Sequence, residues 1–412
     1  MYRGLYIFSE GLYPAGMPHE RKRYLGPGLA RTLAHSQIAG ILGQRQVGKT
    51  TLLEASCKEY ATFDRAATLM QANTDAELFL KGHASPFGID EAQLCAPLFP
   101  ALKEHVRVDK RRGQFILSGS VRFTSKADIR ESLTGRIVAL ELLPLTLAEI
   151  KGRPLPNICE RILKANSAAA LASLDKTSST RVDFGRYLEE GGLPGICFFR
   201  DPHIRMARFE AHLDTLLNRD IRQVYPTTLP YSSLRALLEH LARTQGRPFE
   251  WAEAARASQI SRITLKKVLF ALEALFLTRT IPDIDGHKPT IFLEDQGTAS
   301  WLKGSALENA DDLTRGLYAN LRQEYHYRPE LRAKISHWRI QNEIEVPLIF
   351  SSRHGRLGIV PTLSEQPAPK TLGSAQSFLN KFPGSKVVIA YGGSTIVHKP
   401  PSMLWIPYWK LC

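Results

Sequence analysis

A nine-residue stretch near the start of the chain has the residue types and spacing of a phosphate-binding loop. Gly43 and Gly48, separated by four residues, are followed directly by Lys49 and Thr50, which satisfies the Walker A pattern in full. The glycines let the backbone wrap around a phosphate, Lys49 can reach the terminal phosphates, and the Thr50 hydroxyl can ligate Mg²⁺. The pattern predicts a nucleotide site formed by Gly43, Gln44, Arg45, Gln46, Val47, Gly48, Lys49, Thr50 and Thr51.

Two adjacent acids can complete such a site. Asp90 and Glu91 follow the short apolar stretch from Pro86 to Ile89. We predict that Asp90 holds the Mg²⁺ ion and that Glu91 is the general base that polarises the attacking water. Two acids at a strand end can equally form a solvated turn, but beside a Walker A loop the catalytic interpretation is favoured.

Two further polar residues are candidates for contact with a transferred phosphate. Ser118 lies near the end of the stretch Gln114 to Ser120, where a side chain can touch the γ-phosphate or the water. Arg136 precedes the apolar run Ile137 to Leu142 and can stabilise transition-state charge, either in cis or from a neighbouring subunit. The alternative for Arg136 is a surface salt bridge.

Strands and helices must bring these residues together. A strand from Gln37 to Leu42 enters the loop and a helix from about Lys49 to Tyr60 leaves it, which directs the positive end of the helix dipole at the phosphates. The segments around Asp90, Ser118 and Leu140 are predicted to be further strands. This arrangement is typical of an α/β P-loop core with a parallel sheet.

The motifs together indicate a family. The sequence resembles a large prokaryotic family of AAA+-like P-loop ATPases in the segments GQRQVGKTTLL, YATFDR, GIDEAQ, LFPALK, FILSGS and ESLTGRIVALELLPLTLAEI. The similarity covers about residues 30 to 395 and includes Gly191–Pro194, Asn218–Asp220, Phe292–Asp295 and Trp338–Arg339. In that family the ATPase core is followed by a winged helix and by a domain like the PD-(D/E)xK nucleases.

The resemblance implies a reaction and assigns roles to residues. It makes Gly43 to Thr50 the nucleotide loop, Asp90 and Glu91 the second Walker motif, and Ser118 the sensor. Pro194 lies in a segment that resembles the lid closing over the nucleotide. ATP and Mg²⁺ are therefore the expected ligands, and hydrolysis of ATP to ADP and phosphate is the expected reaction.

The resemblance and local composition divide this α/β chain into four parts. Residues 1–150 are expected to form the P-loop ATPase core, residues 151–230 a helical lid, residues 231–300 a winged helix, and residues 301–412 a restriction-nuclease-like α/β domain. The first boundary falls at Lys151 to Pro156, where two prolines and a glycine break the pattern.

The predicted winged helix supplies a candidate surface for double-stranded DNA. Two helices are expected at Ser232–Thr244 and Glu250–Ser258, and a third carries the apolar positions from Leu265 to Phe276. Two strands follow, at Thr278–Ile281 and Thr290–Leu293. The start of its third helix carries four side chains that suit contact with phosphates and base edges, Arg262, Thr264, Lys266 and Lys267. The alternative is a winged helix that serves as a packing module.

The C-terminal part keeps the element order of a nuclease fold but departs from its chemistry. We expect strands at Val346–Phe350, Arg356–Val360 and Lys386–Tyr391 and a helix at Ser374–Lys381. By the resemblance, Pro347 stands where an aspartate is needed, Thr362 where a lysine is needed, and Asn320 where a glutamate is needed, and Glu345 alone is kept. Because such nucleases hold a divalent metal with acids, we expect no nuclease activity and a role in binding protein partners or in assembly.

Composition limits the classes of protein to which the chain can belong. The chain has 54 Lys and Arg against 40 Asp and Glu, a formal net charge of +14, which favours a polyanionic partner such as nucleic acid. No apolar run approaches the roughly 20 residues of a membrane helix, and the N-terminus lacks a signal-peptide core, so a cytoplasmic protein is expected. The five dispersed cysteines indicate neither disulfides nor a zinc site.

The sequence thus predicts an Mg²⁺-dependent ATPase of the AAA+ type that acts on DNA or is regulated by it. Arg136 acting in trans would require a homo-oligomer. One alternative is a nucleotide-regulated protein-interaction switch that never touches DNA. Another is an active nuclease whose metal ligands lie elsewhere in the chain.

Overall fold

A five-stranded parallel sheet forms the first part of the computed structural model, which describes residues 21–122, 135–165, 179–340, 344–399 and 402–412. Its strands are β1 (Ile38–Leu42), β2 (Glu59–Thr62), β3 (Phe87–Asp90), β4 (Phe115–Gly119) and β5 (Ile137–Glu141). Their order is β2-β3-β4-β1-β5, and every neighbouring pair is parallel. The predicted α/β class with a parallel core is confirmed, and β4 separates the strand that enters the loop from the strand that ends in the acids.

Helices accompany this sheet. They are α1 (Leu25–His35), α2 (Lys49–Glu54), α3 (Ala66–Thr74), α4 (Ala76–Leu80), α5 (Leu98–Val108) and α6 (Leu147–Ile150). Strands β1 and β4 are buried along their whole length, and alternate residues face two separate apolar cores. Ile38 and Leu117 belong to one core, and Ile41 and Ile116 to the other. Continuous apolar strands are what a sheet covered on both faces requires.

One expected boundary in this part is wrong. The helix that was placed from Lys49 to Tyr60 ends at Glu54, and Tyr60 lies in β2. The chain turns after α2, where the backbone N–H groups of Ser56 and Cys57 both donate to the carbonyl oxygen of Leu53. All four residues of β2 are half-buried at the edge of the sheet, so the sequence has no apolar run that signals a strand there.

Helices dominate the next part of the chain, and its identification as a lid stays a prediction. They are α7 (Ile158–Lys164), α8 (Arg181–Glu190), α9 (Pro194–Cys197), α10 (Pro202–Thr215), a π-helical turn (Leu216–Asp220) and α11 (Ile221–Val224). The start of α8 is fixed by a capping box, in which Thr180 and Asp183 each bond the other's backbone N–H.

Three helices and a hairpin follow, close to the expected positions. They are α12 (Tyr231–Thr244), α13 (Trp251–Ser258), α14 (Arg262–Ala274) and the antiparallel strands β6 (Thr278–Ile281) and β7 (Thr290–Leu293). The hairpin turn is bonded to the C-terminal part: the N–H of Ile284 donates to the carbonyl of His337 (2.8 Å), whose N–H donates to the carbonyl of Pro282 (3.1 Å). The turn is therefore docked on the protein itself, and the identification as a winged helix stays a prediction.

A six-stranded mixed sheet makes up the C-terminal part. Two helices, α15 (Gln296–Lys303) and α16 (Ala310–His326), precede β8 (Lys334–Ile340), β9 (Ile344–Ser352), β10 (Gly355–Pro361), α17 (Pro369–Lys381), β11 (Lys386–Tyr391), β12 (Val397–Lys399) and β13 (Met403–Pro407). The order across the sheet is β12-β13-β11-β10-β9-β8. The three expected strands and the helix are present, while β8, β12 and β13 were not predicted.

One apolar core crosses the predicted domain boundaries. It contains Leu147 of α6, Phe184 of α8, Leu317 of α16, Ile359 of β10 and Leu411, all buried. The lid helix α8, the long helix α16 and the C-terminal sheet therefore share a single interior, although the sequence was divided between them.

The described residues contain neither a helix that could span a membrane nor a disulfide. In the described parts of the chain, no helix combines the length and the apolar character needed to cross a membrane. All five cysteines are free thiols, and four of them are buried.

Candidate functional site

The predicted loop, the acids and Ser118 meet at one edge of the parallel sheet. The loop joins β1 to α2, Asp90 is the last residue of β3, and Ser118 is the last but one of β4. The carboxyl ends of parallel strands share an edge, where α/β proteins bind their ligands. The N–H of Gly43 donates to the carbonyl of Gly119 (3.3 Å), which ties the start of the loop to the end of β4.

Lys49 lies buried inside the loop. Its Nζ donates to the backbone oxygens of Gly43 and Gln44, both at 3.0 Å. Burial lowers the pKa of Lys49, while the nearby carboxylates of Glu91 and Asp90 act in the opposite direction. A phosphate in the loop would add negative charge beside the amine and would stabilise its charged form.

Asp90 is the centre of a hydrogen-bond network that joins the loop to the sheet. Its Oδ2 accepts from the hydroxyls of Thr50 (2.7 Å) and Tyr60 (3.1 Å), and its Oδ1 accepts from the Ser118 hydroxyl and from the N–H of Glu91 (3.2 Å). Burial and the Asp90 carboxylate raise the pKa of Tyr60, so its hydroxyl stays protonated and donates. Tyr60 is not among the predicted site residues, because the sequence predicts a helix where β2 lies.

Glu91 is held by two neutral side chains. Its Oε2 accepts hydrogen bonds from the amide of Gln93 and from the hydroxyl of Ser120 (3.3 Å). Its backbone adopts φ 53°, a left-handed conformation that non-glycine residues rarely adopt and that clusters at functional sites. Gln93 and Ser120 were not predicted, although both lie in quoted motifs, GIDEAQ and FILSGS.

Arg23, which is not among the predicted site residues, is hydrogen-bonded to the loop. Its guanidinium donates to the carbonyl oxygens of Val47 and Leu143, both at 2.6 Å, and to Oε1 of Glu149 (2.9 Å). The carboxylate of Glu149 is completely buried, which makes the ion pair a firm anchor. These partners lie 24 to 126 residues away in sequence, so no local pattern could reveal the contact.

The predicted lid segment is anchored at Gly192 and borders the loop at Pro194. The N–H of Gly192 donates to Oδ1 of Asp295 (2.7 Å), and its carbonyl accepts from the N–H of Leu145 (2.7 Å). A Cβ at Gly192 would collide with the Leu145 backbone. Two residues later lies Pro194, whose Cγ would be 3.7 Å from a Cβ built on Gly48. Pro194 thus borders the loop, and its contact with a nucleotide stays a prediction.

Two loop side chains that follow Gly43 are bonded to the lid helices. Arg45 Nε donates to Oδ2 of Asp220 (2.9 Å), whose side chain is almost completely buried. The Nε2 atoms of Gln44 and His212 are 3.3 Å apart. Burial lowers the pKa of His212 to about 4, so the ring is neutral near pH 7 and can accept from the Gln44 amide. The lid and the loop are therefore coupled by an ion pair and a hydrogen bond.

The oxygen atoms at the loop suit a magnesium ion. Mg²⁺ usually takes one or two carboxylates, substrate phosphates and several waters as ligands. Thr50 Oγ1 and Asp90 Oδ2 lie 2.7 Å apart beside the loop, so both predicted ligands are hard oxygen donors at one place. Elsewhere, the described residues contain no group of three His, Cys, Asp or Glu that could hold a metal.

A cavity of about 840 Å³ adjoins the loop. Among its lining residues are Arg23, Tyr24 and Leu52. Leu52 belongs to α2 and Arg23 is bonded to the loop, so the cavity lies near the loop, although none of residues 43–51 lines it. Its volume falls within the range of small-molecule pockets.

The Gly43→Ala variant is expected to lose nucleotide binding. A Cβ at position 43 would lie 2.5 Å from the carbonyl oxygen of Leu142, a backbone atom that cannot rotate away. Such overpacking costs about 1–3 kcal/mol, and here it would displace the loop itself. Titration with a fluorescent ATP analogue measures the loss. Gly185→Ala is the control, because a Cβ there meets no atom within 4 Å, and equal binding by the two variants would contradict the prediction.

Arg136 does not join this cluster. It directly precedes β5, whose first residue, Ile137, pairs with Ile38 at the start of β1, whereas the loop follows Leu42 at the end of β1. Arg136 therefore lies at the opposite edge of the sheet, about 16 Å away at 3.3 Å per residue. The predicted action in cis is wrong for this geometry, and action from a neighbouring subunit stays a prediction.

The four residues predicted to contact nucleic acid lie in the first turns of α14. Arg262, Lys266 and Lys267 are exposed, and none of them forms an ion pair with another described residue. Thr264 is half-buried, and its hydroxyl accepts from the hydroxyl of Ser261 (2.9 Å), which caps the helix. Three unneutralised cations are thus available to a polyanion.

The residues at the expected nuclease positions serve the fold. Asn320 is buried in α16, and its Oδ1 accepts from the N–H of Leu147 (3.1 Å). Glu345 and Pro347 lie in β9, and burial raises the pKa of Glu345. Thr362 follows β10. Asn320 therefore links α16 to α6, and the loss of nuclease activity stays a prediction.

Comparison with known proteins supports the assignment of the loop. Residues 35–151 match the family described as AAA domain, and residues 181–304 match one described as Domain of unknown function (DUF8612). Uncharacterized proteins of Mycobacterium bovis and of Mycobacterium tuberculosis are each 26% identical over 380 residues, which is 89% of this chain and 78% of theirs.

Two solved structures show weaker likeness. The Walker-type ATPase of Pyrococcus abyssi is 14% identical with a TM-score of 0.40, over 68% of this chain and 94% of that one. A signal transduction ATPase with numerous domains and a tetratricopeptide repeat sensor, from Pyrococcus horikoshii, is 13% identical with a TM-score of 0.23, over 77% of this chain and 50% of that one. The AAA domain match covers the loop, both acids and Ser118, so residues 35–151 of the chain are similar to an AAA domain.

Proposed function

We propose that this protein binds ATP with Mg²⁺, hydrolyses it to ADP and phosphate, and acts on duplex DNA or is regulated by it. The observation that carries the proposal is the meeting of Lys49, Thr50, Asp90 and Glu91 at one edge of the parallel sheet. The cavity beside Leu52 is the proposed place for the base and ribose.

The loop residues hold and polarise the phosphates. Lys49 exchanges its two backbone acceptors for phosphate oxygens and neutralises part of their charge. Thr50 and Asp90 would hold the magnesium ion, which supplies electrophilic stabilisation of the phosphate oxygens. Ser118, bonded to Asp90, keeps that carboxylate oriented.

Glu91 performs the proton transfer. A water molecule attacks the γ-phosphorus, its proton passes to the Glu91 carboxylate, and the bond to the bridging oxygen of ADP breaks. Gln93 and Ser120 donate hydrogen bonds to the carboxylate and hold it in position. Arg136 contributes in this proposal from a second copy of the chain, in a homo-oligomer.

Duplex DNA is the proposed partner. Arg262, Lys266 and Lys267 present three cations on the exposed start of α14, and the net charge of the chain is +14. The turn between β6 and β7 is bonded to β8. The contact with DNA would therefore be made by α14 without this turn. Each phosphate neutralised by a cation releases counterions, so binding should weaken steeply with salt.

A protein-interaction switch without DNA binding is the second candidate. It is favoured by Ile263 and Phe270, which are 74% and 65% exposed on the same helix as the cations. Large apolar side chains in such a position are more typical of protein contacts than of phosphate contacts. The C-terminal sheet is the other proposed surface for protein partners.

Phosphate release from ATP tests both candidates. We expect turnover with Mg²⁺, none with EDTA, and faster turnover with duplex DNA. A variant with Arg262, Lys266 and Lys267 changed to glutamine should keep the basal rate and lose the stimulation. Arg107→Gln/Arg111→Gln, at two exposed arginines of the ATPase core, is the control.

The outcomes separate the candidates. Turnover that is indifferent to DNA, together with DNA binding that is weak and nearly independent of salt, would favour the protein-interaction switch. Absence of turnover with Mg²⁺ would overturn the ATPase proposal itself.

A further inference from the structure

The segments that follow β4 and α14 each place one side chain in the apolar core of the other part of the chain. Val121, two residues beyond β4, is buried among the helices of the lid and of the following part, with Leu217 and Leu272 in the same core. In return, Phe276, two residues beyond α14, is buried in the core of the ATPase sheet with Phe115 and Leu117. Each part therefore completes the interior of the other.

Arg122 joins the end of β4 to the end of α14 by hydrogen bonds. Its backbone N–H donates to the carbonyl of Ala274 (2.9 Å), and its Nε donates to the carbonyl of Glu273 (3.2 Å). Both acceptors belong to the last turn of α14, at the negative end of its dipole, and the Glu273 carbonyl also accepts from the backbone N–H of Phe276 (3.1 Å). The guanidinium also lies 4.6 Å from the ring centre of Phe276 and pairs with Glu141 (3.4 Å).

The backbone at Phe276 is held in an unfavourable conformation. Its φ is 59°, in the left-handed region that is rare for a bulky residue. Residues keep such a conformation where their surroundings impose it, and they are frequent at switch regions. Here the buried ring and the guanidinium of Arg122 are the constraints, so this junction is fixed rather than loose.

The same strand end holds the catalytic acids. Ser118 donates to Asp90, and Ser120 donates to Glu91 Oε2 (3.3 Å). Arg122 lies only two residues beyond Ser120, and its main chain is bonded to α14. A shift of the α14 end would therefore move the hydroxyl that holds the general base.

We infer that Arg122 is a positioning residue for hydrolysis, which holds the end of β4 against α14 so that Ser120 keeps Glu91 aligned. A partner bound to α14 would change turnover through this contact. The inference rests on the proposed ATPase function, and it adds the junction of Arg122 and Phe276 as the route from α14 to the acids.

Steady-state hydrolysis by Arg122→Gln tests this role. We expect kcat to fall by about 10- to 100-fold, as small displacements of catalytic groups do, with little change in the KM for ATP. Affinity for a fluorescent ATP analogue should be unchanged, because the loop is not touched. Arg122→Lys should recover part of kcat, since it keeps the cation beside Phe276. Arg107→Gln, at an exposed arginine, should match the wild type.

Two further variants keep the test decisive. In the Glu91→Gln background, Arg122→Gln should lower turnover no further, because both changes act through the same base. If Arg122→Gln does not fold, Phe276→Leu replaces it: the apolar bulk stays, the aromatic face is lost, and a smaller fall in kcat at constant KM is expected.

The results distinguish this inference from the proposed function. If the wild type hydrolyses ATP and Arg122→Gln has the same kcat, the positioning role is overturned and the ATPase proposal stays intact. A parallel loss of ATP affinity and kcat would also overturn it, because a general structural defect would then be the cause. A wild-type protein that does not hydrolyse ATP would overturn both.

Discussion

Lys49→Ala is expected to abolish turnover and to weaken ATP binding by about 10- to 150-fold. A charge-assisted hydrogen bond to a phosphate contributes about 1.5–3 kcal/mol, and every 1.4 kcal/mol is about tenfold in affinity. Turnover should fall further than affinity, because the ammonium group also stabilises the charge that develops on the γ-phosphate. Titration with a fluorescent ATP analogue and phosphate release measure the two effects separately.

Two features of the structure make this variant interpretable. Among the residues that the structure describes, Lys49 donates to the carbonyls of Gly43 and Gln44 and forms no ion pair, so its removal takes away two hydrogen bonds. Lys58→Ala, at an exposed lysine beyond the same helix, is the matched control and should behave as the wild type. ATP affinity and turnover close to wild type in Lys49→Ala would contradict the assignment of the loop.

Glu91→Gln is expected to keep ATP binding and to lower kcat by about 10²- to 10⁴-fold. That range is the usual contribution of general acid–base catalysis. Glutamine has the shape of glutamate, and its amide oxygen can still accept from Gln93 and Ser120, so the site should keep its geometry. The variant should therefore accumulate bound ATP, which a filter-binding assay with labelled nucleotide detects.

The control for this variant is Glu77→Gln, at an exposed glutamate of α4. It removes the same charge far from the loop and should leave kcat unchanged. Normal turnover in Glu91→Gln would refute the assignment of the base. The buried carboxylate of Asp220, which is bonded to Arg45, would then be the acid to examine next.

The parts of the site that sequence could predict are those whose signal is local. The Walker A spacing places Lys49 and Thr50 without knowledge of the fold, and the buried strands β1 and β4 are continuous apolar runs. The structure brings Asp90 and Ser118 to the same edge because their strands are neighbours and parallel. Strand order follows from the tertiary packing, so the sequence predicts that each strand exists but not which strands are adjacent.

The parts that were missed depend on distant contacts or on weak local signals. Arg23 reaches Glu149 across 126 residues, and β2 is a half-buried edge strand with no apolar run. For Arg136, the predicted sheet already separates the two alternatives of action in cis and action from a neighbouring subunit. A residue that directly precedes a parallel strand lies at the edge opposite to a loop that follows one, so action in cis was already incompatible with the predicted sheet.

The interior shared by α8, α16 and the C-terminal sheet has a consequence for how this protein can evolve. Tyr408 packs edge-on against Phe184 of the lid helix (5.1 Å between ring centres), and Leu411 lies in the same core. A mutation that removed the C-terminal sheet would uncover the apolar face of α8 and so impair the proposed ATPase activity. Purifying selection should therefore act on the inward-facing residues of this sheet whatever its own activity, and neutral drift should concentrate on its outer surface.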